Sequence, residues 1–135
     1  MKRNMTQEDK ELLLRDLCAR LPYNVMCEVI DSDENLSTRV FPLFPHHITY
    51  LRDHRFLSED KDSHWKSFKP FLRPMSSMTE DERKEYVSLL EMCQCGDVYE
   101  YEVVDWLNEH HFDYRGLIEK GLAIEVTEEN NPYEN

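Results

Sequence analysis

The first apolar pattern of the chain has the spacing of a helix. Thr6 is a candidate N-cap with Asp9 three residues later, an arrangement typical of a capping box. Apolar residues then recur at steps of three and four positions: Leu13, Leu14, Leu17, Cys18 and Leu21. Pro22 cannot continue a ladder of helical hydrogen bonds, so we expect the helix to end before it.

Residues 23–30 alternate in polarity instead of repeating with a helical period. One side of this segment carries Val25, Cys27 and Val29. The alternation predicts a strand with one well-defined apolar face. Polar residues at 31–35 predict a turn, and residues 36–44 return to an extended pattern, so we expect the two strands to form a hairpin.

The segment after this hairpin is harder to interpret. Pro42 and Pro45 indicate that the second strand is short or lies at an edge of the sheet. Within 46–56 the apolar residues fit both an alternating strand and a helical turn, and we favour the strand. Residues 57–66 are polar and have no apolar period, which predicts a solvated loop.

The clearest signals of structure lie in FKPFLRPMSSMTEDERKEYVSLLE, residues 68–91. Two prolines push its first part, 68–75, out of the helical region, so we expect an extended run whose aromatic and leucine side chains face a core. Thr79 and Glu82 form a second candidate capping box. The helix that they start carries an apolar face that we expect to be buried: Tyr86, Val87, Leu89, Leu90 and Met92.

Gly96 separates this helix from the next one. A glycine can adopt the left-handed conformation that closes a helix, and Asp97 with Glu100 offers another capping box. We therefore expect a helix from Val98. Its packed stripe should contain Tyr99, Val103, Trp106, Leu107 and His110.

The last predicted elements are short. Asp113 can cap a turn at 114–120, and Gly121 can close it. Residues 122–126 predict a final strand that joins the N-terminal hairpin. The tail at 127–135 is polar, and we expect it to be frayed.

Together these elements predict an α+β fold in one domain. The order is an N-terminal helix, a small and mostly antiparallel sheet over about 23–50, two or three helices and a short closing strand. We divide the domain into a helix and hairpin half at 1–67, a mainly helical half at 68–126 and a flexible tail at 127–135. A chain of 135 residues can build such a core without metal or disulfide staples.

The charge balance narrows the class of partner. The chain has 28 acidic and 16 basic residues, and its formal net charge of −12 repels nucleic-acid phosphate and anionic lipid. No segment approaches the roughly eighteen apolar residues of a membrane span, and no apolar leader follows the start. We therefore expect a cytoplasmic protein with reduced thiols at its four cysteines. The acidity serves either solubility alone or the docking of a protein.

Four residues are candidate zinc ligands: Cys93, Cys95, His110 and His111. Residues two apart on a helix point about 200° away from each other, so both thiols face one ion only if the helix ends at Met92. Neighbouring histidines diverge likewise. We expect no metal and no cofactor, with His110 packed and His111 exposed, and we keep a small zinc-binding protein as the alternative.

Motifs for catalysis and for phosphate binding are missing from the sequence. It contains no Gly-x-Ser-x-Gly, no His-Glu-x-x-His and no glycine loop for a nucleotide, so we expect no enzyme. A helix-turn-helix regulator is a second alternative, because two predicted helices meet at Gly96. Its reading helix at 98–112 would carry four acidic residues and no lysine or arginine, which opposes binding to DNA.

Aromatic residues offer another kind of site, a groove for a peptide. The candidates are Phe68, Phe71, Tyr99, Trp106, Phe112 and Tyr114. Such residues anchor interfaces, although packing in a core is their commoner use. Tyr114 and Arg115 lie beside a short turn, and we predict that they are exposed binding residues.

Three blocks of the chain resemble a set of small proteins from gut anaerobic bacteria. They are LLLRDLCARLPYNVMC (12–27), FKPFLRPMSSMTEDERKE (68–85) and DWLNEHHFDYRGLIEKGLAIEV (105–126). These proteins are often encoded in prophages or mobile elements, and no activity is established for them. The resemblance implies a bacterial, intracellular and phage-related setting. With the charge, it favours a non-catalytic accessory factor that binds a host or element-encoded protein through an acidic face.

Overall fold

A computed structural model of the chain describes residues 6–31, 38–53 and 65–134. The predicted turn at 31–35 and the predicted loop at 57–66 lie almost entirely outside the described residues. The described residues form four α-helices and one four-stranded mixed sheet, with a helix first and most of the helical residues later. The predicted α+β class is confirmed.

The N-terminal helix forms as its capping residues predict. Helix α1 spans Gln7–Arg20, and the Thr6 hydroxyl accepts a hydrogen bond from the Asp9 amide at 3.0 Å while the Asp9 carboxylate accepts from the Thr6 amide. Leu13 and Leu17 are fully buried on its inner face. A short 3-10 turn at Leu21–Tyr23 then redirects the chain into the sheet.

Three longer strands and one short strand make the sheet. Strand β1 is Met26–Asp31, β2 is Thr38–Pro42, β3 is Trp65–Leu72 and β4 is Ile124–Glu125. Their order is β2-β1-β3-β4, with β1 antiparallel to both β2 and β3 and with β4 parallel to β3. The predicted hairpin is therefore confirmed, and β2 is an edge strand of this sheet, as its prolines indicate.

The prediction of a strand at 46–56 is wrong. Residues Pro45–Asp53 form helix α2, which starts at a proline whose fixed φ suits the first turn of a helix. His47 and Leu51 are both buried and lie four residues apart, so the inward face follows the helical period. The His47 ring also accepts the Phe44 amide at 2.9 Å, which satisfies a donor at the start of the helix.

The two later helices are α3, Glu80–Gln94, and α4, Glu100–Glu109. Gly96 has the predicted left-handed conformation, with φ of 85°. The amides of Asp97 and Val98 both turn back to the Met92 carbonyl at 2.9 and 3.3 Å. These two residues complete the end of α3, and α4 begins only at Glu100, so the expected start at Val98 is wrong.

The cap of α4 therefore lies two residues later than expected. The Tyr99 amide donates to the Glu102 carboxylate at 2.8 Å, in place of the predicted pairing of Asp97 with Glu100. Tyr99 precedes the helix and is 69% exposed, so it does not belong to the packed stripe. Val103, Trp106 and Leu107 are buried as predicted.

The main core draws buried residues from each of the three described stretches, although α3 and α4 contribute none of them. It contains Leu13, Leu17, Val25, Cys27, Val29, Leu43, Leu51, Phe68, Leu72, Leu117, Leu122 and Ala123. The predicted alternation of β1 is visible here, because Val25, Cys27 and Val29 are all fully buried. The predicted final strand at 122–126 is shorter than expected, and it pairs with β3 instead of the hairpin.

The C-terminal tail is held against the sheet and is not frayed as the sequence predicts. The ladder between β1 and β3 ends where Cys27 faces Pro70. Just beyond that pair, the Tyr133 hydroxyl accepts the Met26 amide at 3.0 Å and donates to the Phe71 carbonyl at 2.7 Å. One hydroxyl thus bridges the two strands where they no longer bond directly, and burial raises the pKa of Tyr133.

Replacing Tyr133→Phe should lower the free energy of unfolding by about 1 to 2 kcal/mol, because the Met26 amide and the Phe71 carbonyl lose their partner. Urea denaturation followed by circular dichroism measures this loss. Tyr101→Phe is the matched control, since Tyr101 is 62% exposed and should tolerate loss of its hydroxyl. Equal stability of Tyr133→Phe and the parent protein would show that the tail contributes nothing to the sheet.

Candidate functional site

Helix α3 exposes the apolar face that the sequence predicts to be buried. None of its residues is buried, and Val87, Leu90 and Met92 are 45%, 39% and 36% exposed. Tyr86 and Leu89 are half-buried against a second core cluster, which contains Trp106, Leu107 and Phe112. The expected burial is therefore wrong for most of this face.

The reason lies in the width of the apolar face. Tyr86 and Leu89 lie one turn apart and contact the second core cluster. Val87 and Leu90 also lie one turn apart, and each is displaced by one residue, or about 100° around the helix axis. Because the cluster contacts the first pair, the second pair is left in solvent.

Contacts at its N-terminus hold α3 in place. The Arg73 guanidinium makes two hydrogen bonds to the Glu82 carboxylate, at 2.6 and 2.8 Å, and lies 4.3 Å from the centre of the Phe112 ring. Glu82 also accepts the Thr79 amide at 2.9 Å, in the predicted capping box. The hydrogen bonds from Arg73, with those from Thr79, lower the pKa of Glu82 to about 2.

Two tyrosines are also exposed at the start of α4. Tyr99 and Tyr101 are 69% and 62% exposed, and their rings stack with centroids 5.6 Å apart and planes 11° apart. At 100° per residue Met92 lies about 140° around α3 from Val87, so it is exposed on another side of the helix. We define the α3–α4 surface by four exposed residues: Val87 and Leu90 of α3, and Tyr99 and Tyr101 at the start of α4.

The segment that carries this surface is strongly acidic. Residues 80–109 contain ten acidic residues and two basic ones, so this segment carries two thirds of the net charge of the chain. Of the two basic residues, Lys84 lies 3.7 Å from Glu80 in an exposed ion pair. The surface therefore combines apolar side chains with a strongly negative field, which attracts cationic partners.

The predicted binding residues Tyr114 and Arg115 are half-buried and not exposed. The Tyr114 hydroxyl donates to the Asn108 side chain at 2.8 Å, and Arg115 pairs with Asp16 at 3.0 Å. The Arg115 guanidinium also lies 4.8 Å from the centre of the Tyr114 ring. These contacts join α1 to the segment after α4, so both residues serve the fold.

The structure does not assemble the four candidate zinc ligands. Helix α3 continues to Gln94, so Cys93 lies within it and Cys95 caps its end. The His110 ring bonds to the Trp106 carbonyl at 2.8 Å. Within the described parts of the chain, no group of three or more His, Cys, Asp or Glu side chains is arranged to hold a metal ion.

The prediction that His111 is exposed is wrong. It adopts a left-handed backbone with φ of 64°, and its ring stacks on Tyr133 with centroids 3.9 Å apart. Burial, together with the nearby charges of Arg20 and Arg73, lowers the pKa of His111 to about 4. The imidazole is therefore neutral at pH 7.

Most of the aromatic residues proposed for a groove belong to the core. Phe68, Phe71, Trp106 and Phe112 are buried, Tyr114 is half-buried and Tyr99 is exposed. The six therefore do not line one open groove. The exposed aromatic pair is Tyr99 with Tyr101, and no local signal in the sequence distinguishes this pair from the buried rings.

Comparisons with family models, with curated proteins and with solved structures found no match for this chain. Among the described residues, no helix has the length and apolar character needed to cross a membrane. Function is therefore argued from the geometry and charge of the molecule itself.

Replacing Glu82→Gln should lower the free energy of unfolding at pH 7 by about 1 to 2 kcal/mol, because the charged hydrogen bonds to Arg73 are lost. The pKa of Glu82 is lower in the folded state, so its stabilisation is full above the usual pKa of 4.5 and declines as the pH falls towards 2. The difference between variant and parent should shrink over that interval. Urea denaturation at a series of pH values measures it.

The control for this prediction is Glu85→Gln, which removes an exposed acid from the same helix. It should change stability little at any pH. A loss in Glu82→Gln that stays constant from pH 7 to about 3 would contradict the assigned role of the carboxylate.

Proposed function

We propose that this protein is a non-catalytic interaction factor that binds a basic protein through the α3–α4 surface. The observation that carries the proposal is the exposure of α3. This helix of 15 residues buries none of them in the folded chain, although Val87, Leu90 and Met92 are apolar. A partner that covers Val87 and Leu90, which share one side of the helix, would remove apolar surface from water.

The spacing of the exposed residues suits a particular way of binding. Val87 and Leu90 are one turn apart, as are the anchor residues of a helix that lies in a groove or beside another helix. A shallow depression of about 420 Å³ runs along α3 beside Val87, and its other lining residues are Glu80, Arg83, Lys84, Ser88 and Glu91. A second helix with an apolar stripe fits such a surface.

The negative charge of this segment indicates that the partner is positively charged. The ten acidic residues of 80–109 attract a chain rich in lysine and arginine and repel nucleic acid. A second copy of this chain would bring two negative surfaces together, which opposes a symmetric dimer through this face. The helix-turn-helix alternative is disfavoured for the same reason, because α4 has acidic residues and no lysine or arginine.

The sequence resemblance supports a biological setting for this activity. We propose an accessory factor in the cytoplasm of a bacterium, encoded by a prophage or mobile element. Its partner in that setting is a basic protein of the host or of the element. Binding of this kind requires neither a cofactor nor a catalytic group.

A designed amphipathic helical peptide with a leucine stripe and lysine flanks should bind the protein, and the same peptide with glutamate in place of lysine should bind at least about tenfold more weakly. Fluorescence anisotropy of the labelled peptides measures both affinities. The double variant Val87→Gln, Leu90→Gln should bind the lysine peptide about tenfold more weakly than the parent protein does. It removes two apolar contacts and retains helix-forming residues.

Val40→Gln is the matched control for the double variant. Val40 is 47% exposed, close to the 45% of Val87, and lies on β2. It should leave the affinity unchanged. Equal weakening by Val40→Gln, or unchanged affinity in the double variant, would refute the assignment of the α3–α4 surface. Thermal melts followed by circular dichroism confirm that each variant folds.

A further inference from the structure

The two exposed tyrosines form an aromatic surface at the start of α4. Residues two apart in a helix point about 200° away from each other, so rings at such positions stack only where one of them lies outside the helix. Tyr99 precedes α4 in an extended conformation, with φ of −83° and ψ of 155°, whereas Tyr101 belongs to the first turn. Their rings stack 11° from parallel while both side chains stay mostly exposed. The tyrosine pair thus offers an aromatic face to a planar group from a partner.

The charges beside the tyrosine pair favour a cation. Asp97, Glu100 and Glu102 are all exposed, and residues 97–102 contain no lysine or arginine. The N-terminus of a helix carries a partial positive charge of about half a unit, which opposes a cation there. The three carboxylates outweigh that partial charge, so the local field attracts a cation.

The same combination of groups holds arginine side chains within the fold. The guanidinium groups of Arg20 and Arg115 lie 5.2 and 4.8 Å from the centre of the Tyr114 ring. Both of them also pair with the Asp16 carboxylate, at 2.7 and 3.0 Å. Stacking on a tyrosine and pairing with a carboxylate thus act together on one cation. The start of α4 presents tyrosine rings and carboxylates on the surface.

We propose that the tyrosine pair is an arginine-binding site, on which a guanidinium of the basic partner stacks in the negative field of Asp97 and Glu100. This inference rests on the proposed function and names the side chain that the partner presents. A guanidinium is planar and weakly hydrated, whereas the ammonium of lysine is compact and strongly hydrated. The carboxylates attract both cations, so the rings are what distinguishes arginine from lysine.

Two amphipathic helical peptides with the same leucine stripe, one with arginine flanks and one with lysine flanks, test the proposal on the full chain. Their charges are equal, and arginine and lysine have similar helix propensities. The arginine peptide should bind at least about threefold more tightly, as measured by fluorescence anisotropy. The double variant Tyr99→Leu, Tyr101→Leu should lose this preference. The double variant Tyr99→Phe, Tyr101→Phe should keep it, because phenylalanine retains the ring.

Neutralising the nearby acids is the matched control. The double variant Asp97→Asn, Glu100→Gln should weaken the binding of both peptides to a similar extent and leave the preference for arginine unchanged. A third peptide with trimethyllysine flanks should bind more weakly than the arginine peptide, because quaternary ammonium groups are recognised by aromatic cages and these two rings are nearly parallel. Thermal melts followed by circular dichroism confirm that each variant folds.

Three results would overturn the arginine-binding site: equal affinity of the parent protein for the arginine and lysine peptides, tightest binding of the trimethyllysine peptide, or a preference for arginine that survives in the leucine variant. The comparison of peptides on the parent protein needs no variant to fold. Val87→Gln, Leu90→Gln should weaken both peptides and keep the preference. Absence of binding by every peptide would therefore contradict the proposed function, whereas binding without a preference would contradict this inference alone.

Discussion

The fold depends on a buried charge pair between neighbouring turns of α1. Arg20 and Asp16 are both fully buried, and the Arg20 Nε atom donates to the Asp16 carboxylate at 2.7 Å. Arg20 donates again to the Phe112 carbonyl at 2.6 Å, and Arg115 donates to the other Asp16 oxygen at 3.0 Å. Removing charges from water is costly, so these partners must be present together. The pair therefore fixes where the end of α4 meets α1.

Contacts made by Arg73 connect Phe112 to the first turn of α3. The Arg73 backbone bonds to His111 and to Asp113 on either side of Phe112, each at 2.8 Å. The Arg73 side chain covers the Phe112 ring and pairs with Glu82 in the first turn of α3. Helix α3 is thus oriented by charged contacts at one end and by a few aromatic contacts along one side. This arrangement holds the helix without burying its apolar residues, which remain available for a partner.

The sequence by itself determined the features that depend on neighbouring residues. The capping boxes at Thr6 and Thr79 and the left-handed Gly96 follow from contacts within about five positions along the chain. The alternation of β1 is likewise written in successive residues, because side chains of a strand point to opposite faces in turn. For the candidate site, the sequence identified the apolar positions of α3 and the acidic residues beside them. It did not identify which apolar positions remain exposed.

Only the tertiary structure decided the features that need a distant partner. The local pattern of residues 45–53 fits both an alternating strand and a helical turn. Burial of His47 and Leu51 against the core selected the helix. Tyr133 lies on the sheet because Met26 and Phe71 offer a donor and an acceptor more than sixty residues away. Val87 stays exposed because none of the described residues buries its side of α3. Burial is a property of what packs against a residue, and periodicity along the chain does not contain that information.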